Sequence, residues 1–123
     1  MARILVIDDE DQGRNMLCQV LQRAGHEVVT ARDGNEGLQL FRTTLVDLII
    51  TDILMPEKEG LETIIELRLE FPNVKIIAMS GGGHQGNLNF LEVAKRLGAR
   101  RTLQKPFHLR EVIQLVTEVL DES

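Results

Sequence analysis

Apolar residues fall into two alternating patterns along this chain. The first is a short run with few polar interruptions, as in Ile4-Leu5-Val6-Ile7, Leu48-Ile49-Ile50 and the stretch from Val74 to Met79. These runs lack the in–out alternation of a half-exposed strand, so they predict strands covered on both faces. The second pattern spaces apolar residues by three and four, which predicts helices. It joins Leu17, Val20, Leu21 and Ala24; Leu38 and Phe41; Leu61, Ile64, Ile65 and Leu67; Phe90, Leu91, Ala94 and Leu97; and Leu109, Val112, Ile113, Val116 and Leu120. Gly25 and Gly98 stand where the first and fourth helices should close, and Pro72-Asn73 stops the third. Asp33 and Glu36 have capping-box spacing, and Asn87 can cap the fourth helix. Glu27 to Ala31, Asp47 to Thr51 and Arg100 to Gln104 complete the strand set, the last polar enough for a sheet edge.

Five strands therefore alternate with five helices through short connections, which predicts an α/β fold with a doubly wound parallel sheet. With 123 residues and 43% hydrophobic content, the chain supports one domain, expected to span 1–123 and to leave no room for an output domain. The net charge of −5 argues against direct nucleic-acid binding. Cys18 is the only cysteine, so no internal disulfide or cysteine zinc site can form, and it reads as an inert, partly buried thiol. No apolar run reaches the roughly 20 residues that span a bilayer. The early acidic residues do not suit a signal peptide, and a cytoplasmic domain without membrane insertion is the expectation.

Each of four strands ends in a residue with chemistry: Asp8-Asp9, Asp52, Ser80 and Lys105. An open α/β sheet binds its ligand outside the carboxyl ends of the strands. In a 2-1-3-4-5 strand order, the first and third strands are neighbours, and three carboxylates crowd one rim. Like charges so close call for a cation or a proton. A hard divalent ion such as Mg2+ suits oxygen ligands and also bridges to phosphate oxygens. Lys105 supplies a point charge for phosphate, and Ser80 a hydroxyl donor. Together they would surround a transferring phosphoryl group, leaving one carboxylate as a nucleophile.

At this point the chain resembles the response-regulator receiver domain of two-component signalling over essentially its whole length. The resemblance rests on Ile7-Asp8-Asp9-Glu10, Asp33-Gly34-Asn35-Glu36-Gly37, Asp47 through Pro56, Gly60, Ala78-Met79-Ser80 and Lys105-Pro106-Phe107. It implies a flavodoxin-like (βα)5 fold and a phosphorylation-activated switch rather than an enzyme that turns over a diffusible substrate. By resemblance, Asp52 is the phosphoacceptor, served by a sensor histidine kinase or phosphotransfer protein. Asp9 is the direct Mg2+ ligand and Asp8 assists through water; Asp52 and the Leu54 carbonyl complete the set. Ser80 and Lys105 hold the phosphoryl group, and the Lys105–Pro106 bond is expected to be cis. Two departures stand out. Thr102 replaces the usual aromatic three residues before the lysine, and Gly81-Gly82-Gly83 follows Ser80.

The resemblance also places a downstream protein target on the face of the fourth helix, fifth strand and fifth helix. Between Lys95 and Arg110 stand Lys95, Arg96, Arg100, Arg101, Lys105 and Arg110 with no acidic residue, which points to an acidic partner. A Mg2+-dependent phosphatase is the principal alternative, but its usual Asp-x-Asp and cap are missing. A flavin carrier fits poorly with a chain lacking Trp and Tyr. A scaffold that never uses Asp52 would have no need of Asp9, Ser80 and Lys105.

Overall fold

A computed structural model describes residues 2–53, 60–81 and 87–122, with residues 87–90 described by their backbone. Five strands, β1 (Arg3–Ile7), β2 (Glu27–Ala31), β3 (Leu48–Asp52), β4 (Ile76–Ser80) and β5 (Arg101–Gln104), alternate with five helices. The helices are α1 (Asp11–Arg23), α2 (Gly34–Thr43), α3 (Gly60–Glu70), α4 (Asn87–Leu97) and α5 (Leu109–Asp121). All strand pairings are parallel and the order is β2-β1-β3-β4-β5.

The unbroken apolar runs are explained by two cores, one on each side of the sheet. Leu5, Ile7, Ile49, Ile76 and Ala78 point toward α2, α3 and α4 and meet Leu38, Ile64, Leu67, Leu91 and Ala94. Their strand neighbours Ile4, Val6, Leu48, Ile50, Ile77 and Met79 point the other way, onto Leu17 and Leu21 of α1 and Val112, Val116 and Val119 of α5. Every residue of β3 and β4 is buried. Two apolar faces on one strand leave no polar alternation to read.

The helices depart from the expected faces in places. Ile65 is 41% exposed, and Leu109 and Ile113 also face solvent, while Thr63 and Val119 are buried. Ala24 is exposed beyond the end of α1. Asn87 is the first residue of α4 rather than its cap, and the preceding Gly86 lies outside the described residues. The Asp33 cap is as expected, its carboxylate accepting from the Glu36 N–H at 2.9 Å while Glu36 returns a bond to the Arg32 N–H. Gly25 and Gly98 both have positive φ, the conformation that glycine reaches without strain.

The last turn of α5 is tied to the sheet. Lys75 Nζ donates to the carbonyls of Leu120 and Glu122 at 3.0 and 2.7 Å, which satisfies helix-end acceptors. The Glu122 carboxylate takes Arg100 at 3.1 Å and Arg101 at 2.8 Å, and Glu118 lies 4.0 Å from Arg101.

Candidate functional site

The parallel register brings the strand-end residues to one rim. Ile7 pairs with Thr51, so the next residues, Asp8 and Asp52, leave adjacent strands side by side. Asp52 pairs with Met79, and Ser80 with Gln104, which directly precedes Lys105. The Lys105 N–H donates to the Ser80 carbonyl at 2.8 Å, fixing where the lysine leaves β5. The Lys105–Pro106 peptide is cis, as the resemblance implies.

Asp8 and Asp52 are buried, and Asp9 is exposed at the mouth. One carboxylate oxygen from each lies within 4.8 Å of the others. Lys105 Nζ sits 3.0 Å from Asp52 Oδ2 and 3.4 Å from Asp8 Oδ2. Burial pulls the ammonium toward neutrality, but the hydrogen bond to Asp52 and the charges of Asp52 and Asp8 outweigh it, raising its pKa above the usual lysine range. Three acidic oxygens against one ammonium leave a negative excess. Oxygen ligands at this spacing, open to solvent on the Asp9 side, fit a hard divalent cation. Leu54, the fourth expected ligand, lies outside the described residues.

Ser80 contributes an orphan. Its hydroxyl is fully buried and has no hydrogen-bond partner among the described residues. An unsatisfied buried hydroxyl costs about 1–3 kcal/mol, and such exceptions mark strain or a missing ligand. Thr102, in place of a ring, is half-buried. Beside the rim, Gln12, Gly13, Met16 and Phe107 line a cleft of about 370 Å³ that reaches Asp8 and Lys105.

The sequence reading missed some contributors. Gly13 lies against the Asp8 carboxylate, where a Cβ would stand 2.6 Å from Oδ2. A glycine inside a helical stretch costs about 1 kcal/mol relative to alanine, and that cost was the available signal. Arg14 donates to the Asp8 carbonyl at 2.8 Å. Gly60, named for its resemblance alone, has a physical reason: a Cβ there would stand 2.2 Å from the Asp52 carbonyl oxygen.

The basic run between Lys95 and Arg110 is not a uniform patch. Arg100 and Arg101 are held by Glu122, just past the end of α5, and Arg101 also by Glu118 within it, so they do not form the free basic surface that the charge count suggested. That count placed the balancing acids elsewhere in the chain, whereas the fold brings two of them onto the same face.

Comparison with known proteins identifies the family. Residues 4–117 match the family model described as the response regulator receiver domain. The chain is 37% identical over 122 residues to the DNA-binding transcriptional regulator NtrC of Azospirillum brasilense, covering 99% of this chain and 25% of that protein. It is 34% identical to the chemotaxis protein CheY of Thermotoga maritima, covering 95% of this chain and 96% of that one. The crystal structure of the receiver domain of NtrX from Brucella abortus superposes with a TM-score of 0.91 at 30% identity, covering 98% of this chain and 99% of that one. The chain spans about a quarter of NtrC and, at 51%, about half of the transcriptional regulatory protein CpxR of Escherichia coli. Among the described residues, no helix is long and apolar enough to cross a membrane. The chain belongs to the response regulator receiver domain family, the signalling domain of two-component systems.

Proposed function

We propose that residues 1–123 act as one cytoplasmic receiver domain that takes a phosphoryl group onto Asp52 from a histidine kinase or phosphotransfer protein. The observation that carries this reading is the Lys105 ammonium held between Asp52 and Asp8, at a rim that also holds the buried Ser80 hydroxyl, which has no partner among the described residues. An Asp52 carboxylate oxygen attacks phosphorus as the phosphorus–nitrogen bond to the donor histidine breaks. The histidine departs with the electron pair and the aspartate becomes an acyl phosphate. Asp8, Asp9 and Asp52 would hold Mg2+, with the Leu54 carbonyl. The bound ion supplies positive charge to the phosphoryl oxygens.

Lys105 pairs with a phosphoryl oxygen once Asp52 is phosphorylated, because the negative charge it faces has moved outward from the carboxylate to the phosphoryl group. The Ser80 hydroxyl gains the acceptor it lacks by donating to a second phosphoryl oxygen. Both movements lie on β4 and β5, so the α4–β5–α5 face changes with them and serves as the output surface. Without a free Arg100–Arg101 patch, an acidic partner no longer follows from charge. Intact-mass spectrometry with Mg2+ and a small phosphodonor tests the reading. One added phosphoryl group is expected on the wild type and none on Asp52→Asn. Undiminished labelling of Asp52→Asn, or equal labelling with chelator, overturns it.

A further inference from the structure

We infer that Arg14 is a positioning residue for the cation site: it fixes the Asp8–Asp9 peptide and so sets the direction of the exposed Asp9 carboxylate. The inference rests on the proposed Mg2+ role of Asp8 and Asp9. Asp8 is held at every polar group. Its N–H donates to the Ala31 carbonyl at 3.1 Å, and its Oδ1 accepts from the Glu10 N–H at 3.0 Å. Its Oδ2 faces Lys105, and its carbonyl accepts from the Arg14 guanidinium at 2.8 Å. The first three bonds fix the Asp8 side chain and the backbone on its amino side. Among the described residues, the fourth alone grips the Asp8 carbonyl, whose peptide plane continues into Asp9. Asp9 is exposed, and no described residue hydrogen-bonds its carboxylate.

Arg14 is itself well placed for this work. Its side chain is only 13% exposed, and Asp11 pairs with the same guanidinium, so the side chain is pinned from two directions. Its backbone N–H bonds to the Glu10 carbonyl at 3.0 Å, so the anchor belongs to the first turn of α1 and moves with it. A planar guanidinium can serve a carbonyl and a carboxylate together, which an ammonium does less well. Groups behind metal ligands that fix ligand orientation typically carry 10–100-fold in metal affinity.

Two readings of Arg14 predict opposite signs. As a mere positive charge near three carboxylates, it repels a cation, and its removal tightens Mg2+ binding. As a positioning residue, its removal loosens binding. Calorimetric titration of Mg2+ into the unphosphorylated protein separates them, with Arg14→Gln, Arg14→Lys and Asp9→Asn beside the wild type. Positioning predicts a dissociation constant raised about tenfold in Arg14→Gln, with partial recovery in Arg14→Lys, whose ammonium can still reach one acceptor. Far-UV circular dichroism and urea midpoints identify any variant whose loss reflects unfolding, and Arg14→Lys then carries the comparison. Unchanged or tighter binding in a folded Arg14→Gln overturns the inference while leaving the metal reading intact. No Mg2+ binding by the wild type, or full binding by Asp9→Asn, overturns the metal reading and this inference with it.

Discussion

Replacing Lys105 with methionine removes one charge while keeping most of the stem. In the wild type the ammonium lies 3.0 Å from Asp52 Oδ2 and 3.4 Å from Asp8 Oδ2. With an effective dielectric constant of about 20, each contact amounts to roughly 5 kcal/mol of attraction. Much of that is offset by drawing the ammonium out of water, and the side chain keeps 22% of its exposure. Removing one partner of a buried ion pair costs about 3–5 kcal/mol, and the residual exposure favours the lower end, about 3 kcal/mol. The penalty falls on the native state because Asp8 and Asp52 stay buried there with no cation between them. A divalent ion can supply the missing charge. At a hundred times its dissociation constant, a ligand that binds only the native state adds about 2.7 kcal/mol. Urea denaturation with MgCl2 and with chelator is the assay. Lys105→Met should lose about 3 kcal/mol in chelator and gain more from Mg2+ than the wild type, whose ammonium competes for the same oxygens. A loss below about 1 kcal/mol, or a Mg2+ response no larger than the wild type's, refutes the reasoning. The same pair has a pH signature. Its folded-state pKa is raised, so its stabilisation is complete below the ordinary lysine value of about 10.4 and fades as pH rises through the folded value.

Ser80→Ala removes a hydroxyl that has no partner among the described residues, so the unphosphorylated protein should be unchanged or up to about 1 kcal/mol more stable in urea. The same variant should show a smaller chemical-shift response to phosphorylation; destabilisation in urea would mean the hydroxyl has a partner. Gly60→Ala drives a Cβ against main-chain atoms of Asp52 and Ile53, which cannot rotate away, and should cost about 3 kcal/mol or more by thermal unfolding. A double-mutant cycle of Arg101→Ala and Glu122→Ala should give a coupling of about 0.5–1 kcal/mol that shrinks in high salt, as befits partly exposed charges. Burial first, and the N-terminal charge second, lower the His26 pKa, so its NMR titration midpoint should fall below 6.5. The unfolded chain then takes that proton first, and stability should decline as pH falls from 6.5 through the folded midpoint.

The strand ends were legible because a carboxylate or lysine directly after a buried run has few structural reasons to be there. Their convergence followed from topology alone, since parallel strands with helical crossovers must all end at the same rim. Helix faces were less legible. Ile65 and Ile113 each sit beside truly buried residues, Ile64 and Val112, and a period of 3.6 does not decide which of two adjacent apolar residues lies at the edge of the stripe. Arg100 and Arg101 misled for a different reason. Their counter-charges, Glu118 and Glu122, lie a helix away in sequence, and only the docking of α5 against β5 brings them together. Arg14 gave no signal, because a guanidinium that bonds a main-chain carbonyl looks like any surface arginine until the turn it caps is built.

The three cations at the end of α5 also define a path for mechanical load. Tension applied at Glu122 does not fall on the helix alone. Part of it passes through Lys75 to the chain entering β4, and part through Arg100 and Arg101 to the start of β5. Peeling the last turn therefore means breaking several polar contacts together rather than one helical bond at a time. The same two strands carry Ser80 and Lys105 at their other ends, 76–80 and 101–104 being only a few residues long. A pull on this helix end is thus delivered to the two strands that bear the orphan hydroxyl and the bridging ammonium.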